Sequence, residues 1–288
     1  MEKVATKGDA LGTYFVNLPL RLVNRDTRYV GYLTQNNLAP EIGLDALSLQ
    51  YESTWHKQLA AELHQNGLSC SVHLPFMDLQ PGSLDNLVLE ATRTRLRQAL
   101  DVAALYEPTH MIGHAHFTPV YEDFFAQWLH RSVVSWTQTL DLWPDHPPLF
   151  LENTCEKDPG LLTDLLFELR AHDVGFCLDV GHWHCFGGGV RRADLCHWLQ
   201  AMNGFLRHVH LHDNEGDSDA HLGVGEGQIP WEELFSGLEY LELTPGVTLE
   251  PHCIEDLEIS QRFMRKNPSW FSRLGVTVPI SGITGVEN

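Results

Sequence analysis

The stretch FCLDVGHWHCFGGG, residues 176–189, opens as a buried strand and then departs from that pattern. Phe176, Cys177 and Leu178 are apolar, yet Asp179 follows, then His182 and His184, then three glycines. A carboxylate at a strand tip with an imidazole three residues later suggests a metal site, and glycine eases the turn beside it. Each residue also has an ordinary reading, Asp179 as a helix cap and His182 as a hydrogen-bonded core side chain. The rest of the chain decides between the two.

Similar short apolar runs recur through the 288 residues, each followed by polar or glycine residues and then a longer segment. Strands are expected near 13–18 (TYFVNL), 45–50 (DALSLQ), 69–74 (SCSVHL) and 110–115 (HMIGHA). Four more fall near 148–153 (PLFLEN), 175–180 (GFCLDV), 207–212 (RHVHLH) and 246–251 (GVTLEP). Intervening segments such as 86–106, 121–140, 159–172, 193–205 and 231–243 return apolar residues every three or four positions, the mark of a helix with one buried face. Eight strands alternating with helices predict an α/β fold, a single (β/α)₈ TIM barrel over about 12–270 within one domain, 1–288. No GxGxxG follows the first strand, which removes the usual support for a dinucleotide fold. The segment from the first strand through Pro40 is irregular, and the first ten or so residues and the tail 275–288 are expected outside the barrel.

Enzymes of this architecture place their chemistry at the C-terminal ends of the strands. The third expected strand ends at His73, the fourth at His114 with His116 beyond it, and the fifth at Glu152. The sixth ends at Asp179, followed by His182. The seventh carries His210, with Asp213, Asp219 and His221 in the loop after it, and the eighth ends at Glu250. Six consecutive strand ends thus carry a metal-ligand type of side chain. Converging buried charges without partners cost several kcal/mol each, and a divalent cation is an efficient partner. Imidazole and carboxylate together, without thiolate, suit zinc, manganese or iron(II), whereas calcium or magnesium prefer oxygen alone. Glu152 and Glu250 are the expected bridging or catalytic carboxylates. Cys155 and Cys185 lie close to ligands in sequence but read as packing, and His184 stays unassigned.

Lys and Arg number 19 against 38 Asp and Glu, a formal charge of −19. That balance argues against a nucleic-acid partner, which needs a basic surface to displace phosphate counterions. The six cysteines show no CxxC spacing, and no apolar run suits a signal peptide or a membrane span, so a reduced, cytoplasmic protein is expected.

The motifs VHLPF (72–76), IGHAHF (112–117), LENT (151–154), CLDVGHWH (177–184), HVHLHD (208–213), DAHLGVGEGQIPW (219–231) and LEPH (249–252), in this order, resemble the xylose-isomerase-like barrels. That superfamily includes endonuclease IV (AP endonuclease family 2) and many sugar isomerases and epimerases. The resemblance to endonuclease IV implies a trinuclear centre, with His73, His114 and Glu152 on a first metal. A second would take Glu152 as a bridge with Asp179, His210 and Glu250, and a third His182, Asp219 and His221. Single-metal isomerases of the superfamily need only Glu152, Asp179, His210 and Glu250. The loops that grip DNA in endonuclease IV correspond here to 25–37 and 77–86, neither of which is strongly basic. The resulting expectation is a hydrolase of a small-molecule phosphoester using two or three divalent ions (Zn, Mn or Fe). The alternative is a metal-dependent sugar isomerase or epimerase using Glu152 and Glu250 as acid and base.

Overall fold

A computed structural model describes residues 14–26 and 28–277. Eight parallel strands close on themselves in chain order: β1 (Phe15–Pro19), β2 (Ala39–Gly43), β3 (Ser71–His73), β4 (Met111–His114), β5 (Leu149–Glu152), β6 (Val174–Asp179), β7 (Leu206–Leu211) and β8 (Gly246–Leu249). The barrel closes where Phe15 pairs with Thr248 and Val16 with Leu249. This is the expected (β/α)₈ barrel, with the terminal stretches 1–13 and 278–288 outside the described residues.

The helices cover the sheet with their apolar stripes. In the helix Asn86–Ala103, Leu89, Leu96, Ala99, Leu100 and Ala103 are buried, and Asp85 caps its start by accepting from the Leu87 and Val88 amides. The helix Phe125–Leu140 buries Trp128 and Trp136. A Cβ on Gly113 of β4 would lie 2.9 Å from the Trp136 ring, so the glycine lets that indole seat directly on the strand.

Side chains alternate between the helix layer and the barrel interior, so chemistry-bearing residues two apart share the interior. Phe15, His110, Phe150 and His208 meet edge-on or stacked with centroids 4.6–6.2 Å apart and plug the lower interior. Glu41, Ser71 and Thr248 join above them, and the ionisable strand ends form the mouth.

One strand differs from expectation. β2 is Ala39–Gly43 (APEIG), not residues 45–50. Pro40 and Glu41 disguise it, because proline and an acidic residue read as loop, yet Glu41 is fully buried inside the barrel. Residues 45–50 instead turn: the Asp45 carboxylate accepts from the Leu47 and Ser48 amides at 3.0 and 2.7 Å, and Ser48–Gln50 forms a 3₁₀ turn.

None of the six cysteines is paired; Cys70 and Cys177 are buried, Cys155 and Cys185 partly so, and Cys196 and Cys253 exposed. No helix among the described residues is long and apolar enough to cross a membrane.

Trp136→Ala should empty the space between its helix and β4 and cost about 3–5 kcal/mol, read as a lowered midpoint in chemical denaturation.

Candidate active site at the barrel mouth

All nine expected residues converge at the mouth. His210 is the centre: its Nδ1 lies 3.3 Å from Glu250 Oε1, 3.4 Å from Glu152 Oε2 and 3.8 Å from Asp179 Oδ2. His73 Nε2 and His114 Nε2 approach Glu152 Oε2 at 3.1 and 3.4 Å. His182 Nδ1 approaches Glu152 Oε1 at 2.9 Å, while its Nε2 lies 3.4 Å from Asp219 Oδ2. His221 Nε2 lies 3.1 Å from the same Asp219 oxygen.

Three of these imidazoles share a telling arrangement. Nδ1 of His73 faces the Leu74 carbonyl at 3.0 Å, that of His182 the Asn153 carbonyl at 3.0 Å, and that of His221 the Glu250 carbonyl at 2.7 Å. A carbonyl only accepts, so Nδ1 must carry the hydrogen and a neutral ring then turns its Nε2 lone pair toward a carboxylate. That is repulsive unless a proton or a metal ion lies between them, and a carbonyl holding Nδ1–H is the usual outer support of a metal-binding histidine. His210 reinforces the point. Both of its ring nitrogens are buried and neither makes a well-formed hydrogen bond, although carboxylates surround them. The donor set therefore fits divalent cations.

The electrostatics agree. Burial alone would raise the Glu152 carboxyl, but His114 and His210 hold it well below its ordinary range. Burial alone would lower the His182 imidazole, but Asp179, Asp219 and Glu152 raise it well above. For His221, Asp219 and Glu250 likewise overcome burial and push the ring up to about 9. The carboxylates draw even buried imidazoles toward the cationic form, which is a field that favours added positive charge. His116, with no carboxylate so close, is driven by burial down to about 3.

Three participants escaped the sequence reading. Glu41 Oε1 sits 3.2 Å from His210 Nε2, and its other oxygen accepts from Ser71 and Thr248 at 3.1 and 2.9 Å. Asn17 Nδ2 donates to Glu250 Oε1 at 2.9 Å. His212 Nε2 lies 3.2 Å from both Asp179 oxygens, and its ring stacks on His221 at 3.8 Å. Alternation was the available signal for His212, since HVHLH places 208, 210 and 212 on one face.

The opening motif now has its explanation. The Asp179 carboxylate accepts from the His182 amide, so the cap reading also holds while its second oxygen faces His210. Gly181 is needed for close approach: a Cβ there would run into the His212 ring. Gly188 adopts φ +78°, the left-handed turn that starts the short helix Gly189–Arg192. His184 is buried against Asn214 at 2.8 Å and supports the loop rather than facing the mouth. Asp213 does likewise, accepting from the amides of Gly225 and Ile229 and from the Trp231 indole at 2.9, 3.2 and 2.8 Å.

A family model described as xylose isomerase-like TIM barrel matches residues 37–267, and the chain belongs to that family. Among solved structures, a D-tagatose 3-epimerase-like protein is similar at 19% identity and TM-score 0.72, covering 90% of this chain and 98% of its own. The TTHB071 protein of Thermus thermophilus, soaked with zinc chloride, is 25% identical with TM-score 0.67, covering 88% and 96%. A D-psicose 3-epimerase crystallised in the presence of D-fructose is 15% identical with TM-score 0.64, covering 83% and 84%.

These relatives correct one expectation. Those named for an activity are sugar epimerases, so the phosphoester hydrolase gives way to its alternative. Of the arginines that also line the cavity, Arg21 pairs with Asp45 at 3.4 Å and Arg95 bonds to Gln98 at 3.0 Å.

Gly181→Ala should push His212 away from Asp179 and destabilise the fold by about 1–3 kcal/mol. Thermal unfolding measures the loss, and a crystal structure of the variant should show the displaced ring.

Proposed function

We propose that this protein is a divalent-metal-dependent sugar epimerase or isomerase. The observation that carries the reading is the position of three carboxylates, Glu152, Asp179 and Glu250, within 3.8 Å of one imidazole nitrogen of His210. The likeness of the fold to proteins named as D-tagatose and D-psicose epimerases supports it.

In this reading Glu152, Asp179, His210 and Glu250 would hold the ion, which would supply a Lewis acid for the carbonyl and neighbouring hydroxyl of an open-chain sugar. Glu152 and Glu250 come from strands three apart around the barrel and flank the same small volume. One carboxylate removes the proton from the carbon beside the carbonyl, and the electron pair moves onto the carbonyl oxygen. The other returns a proton to the opposite face, so the configuration inverts and the atoms balance. Asn17 orients Glu250 through its 2.9 Å hydrogen bond, and His73 and His114 fix Glu152. His182, Asp219 and His221, with two imidazoles pinned at Nδ1, would hold a second cation and His73 and His114 with Glu152 a third, for two or three zinc, manganese or iron ions per chain.

Glu152→Gln and Glu250→Gln should each lower the exchange of a ketohexose C–H proton with solvent deuterium by about 10²–10⁴-fold. Exchange at the full rate in either variant, followed by NMR, contradicts the acid–base assignment.

Protein prepared without chelators should contain two or three transition-metal ions per chain by elemental analysis. His221→Ala should release one of them and leave the quartet's ion in place. EDTA should abolish exchange and lower the melting temperature, because an ion bound only by the folded state stabilises it. A constant content of one ion in both proteins makes His182 and His221 substrate contacts instead.

A further inference from the structure

The mouth opens into a cavity of about 900 Å³ whose floor is the charged cluster and whose side is apolar. The apolar side has a defined origin. It comes from the segments after four adjacent strands, β8, β1, β2 and β3, which contribute Ile254, Leu257, Leu22, Leu33, Leu47 and Met77. Leu47 and Met77 are 56% and 72% exposed, and Phe76 and Phe186 add exposed rings beside the histidines. Phe76 stacks on His114 at 4.3 Å and Phe186 on His182 at 5.6 Å, so the aromatic surface begins where the polar floor ends.

A free hexose fills less than half of this space. Granting each of its heavy atoms the ~30 Å³ share of a liquid water, a hexose fills about 360 Å³. The remainder is mainly apolar, with Tyr29, Tyr32, Asp45 and Asp78 scattered among its described lining, so most hydroxyls of a second sugar would lose their hydration without a partner. An anionic substituent such as phosphate suits it no better: beside Arg21 and Arg95 the described lining carries Asp45 and Asp78, and Arg21 is paired with Asp45 at 3.4 Å, so this side offers an anion no net positive charge.

We propose that the substrate is a sugar bearing a neutral, apolar substituent, with the sugar on the carboxylate floor and the substituent along Leu22, Leu33, Leu47, Met77 and Leu257. The proposal rests on the epimerase reading for the sugar end and on the cavity for the other end. It makes this apolar sector a specificity-determining surface, since burying a methylene of the substituent there is worth about fourfold in affinity.

The test compares 6-O-octyl-D-fructose, below its micelle concentration, with 6-O-methyl-D-fructose and n-octanol by titration calorimetry on the metal-loaded full chain, both ethers keeping the carbonyl free to open. The octyl ether should bind at least about 50-fold tighter than the methyl ether, corresponding to three buried methylenes. It should also bind tighter than octanol, and the double variant Leu47→Asp, Met77→Asp should cut the octyl-to-methyl ratio below about threefold. Equal affinity of the two ethers overturns the proposal. So does octanol binding as tightly as the octyl ether, because the sugar then contributes nothing. A double variant that turns a dimer into a monomer in sedimentation velocity also overturns it, by giving the apolar sector to a second copy of the chain. Exchange of D-fructose C–H protons in deuterium oxide keeps the two readings apart. Exchange with a ratio of one defeats the apolar subsite alone, whereas a high ratio without exchange defeats the epimerase reading alone.

Discussion

Burying four carboxylates around one imidazole is the constraint on which the architecture of this protein turns. Glu152, Asp179 and Glu250 surround His210 Nδ1, and Glu41 faces its Nε2 at 3.2 Å. In a dry interior such an arrangement is costly unless positive charge compensates it. The chain answers with imidazoles at nearly every neighbouring position and holds them by backbone carbonyls, so their free nitrogens aim inward. The same arrangement that burdens folding suits the site to cations, because little reorganisation would remain on binding them.

Strands and loops divide the work. The strands supply rigid positions for Glu41, His73, His114, Glu152, Asp179 and His210, and the aromatic layer of Phe15, His110, Phe150 and His208 closes the barrel beneath them. The loop after β7 supplies Asp219 and His221 and needs its own fastening. Asp213 provides it by gathering the amides of Gly225 and Ile229 and the Trp231 indole, and by pairing through its backbone with Leu222. His221 itself holds φ +49° and His116 holds φ +57°, a left-handed conformation uncommon for non-glycine residues. Such strain persists where surrounding contacts fix it, and of the eight described non-glycine residues with positive φ these two lie beside the mouth.

The sequence by itself determined the barrel and most of its mouth. Seven of the eight strands were legible, because a parallel strand covered on both faces is a short apolar run and its terminal ionisable residue stands out. His73, His114, Glu152, Asp179, His210 and Glu250 could be placed by that rule alone. β2 was hidden because Pro40 and Glu41 carry loop-like residue types, and only pairing with Leu18, Asn17 and Ser71 on the adjacent strands reveals the strand. Tertiary structure alone decided what depends on distance between remote segments. Asn17 meets Glu250 across 233 residues of chain, Glu41 meets Thr248 across 207, and His212 reaches Asp179 only because Gly181 has no Cβ. The apolar side of the cavity is of the same kind: its leucines, isoleucine and methionine come from the helices and turns after four strands, each ordinary in sequence, and they become one surface when the barrel closes between β8 and β1.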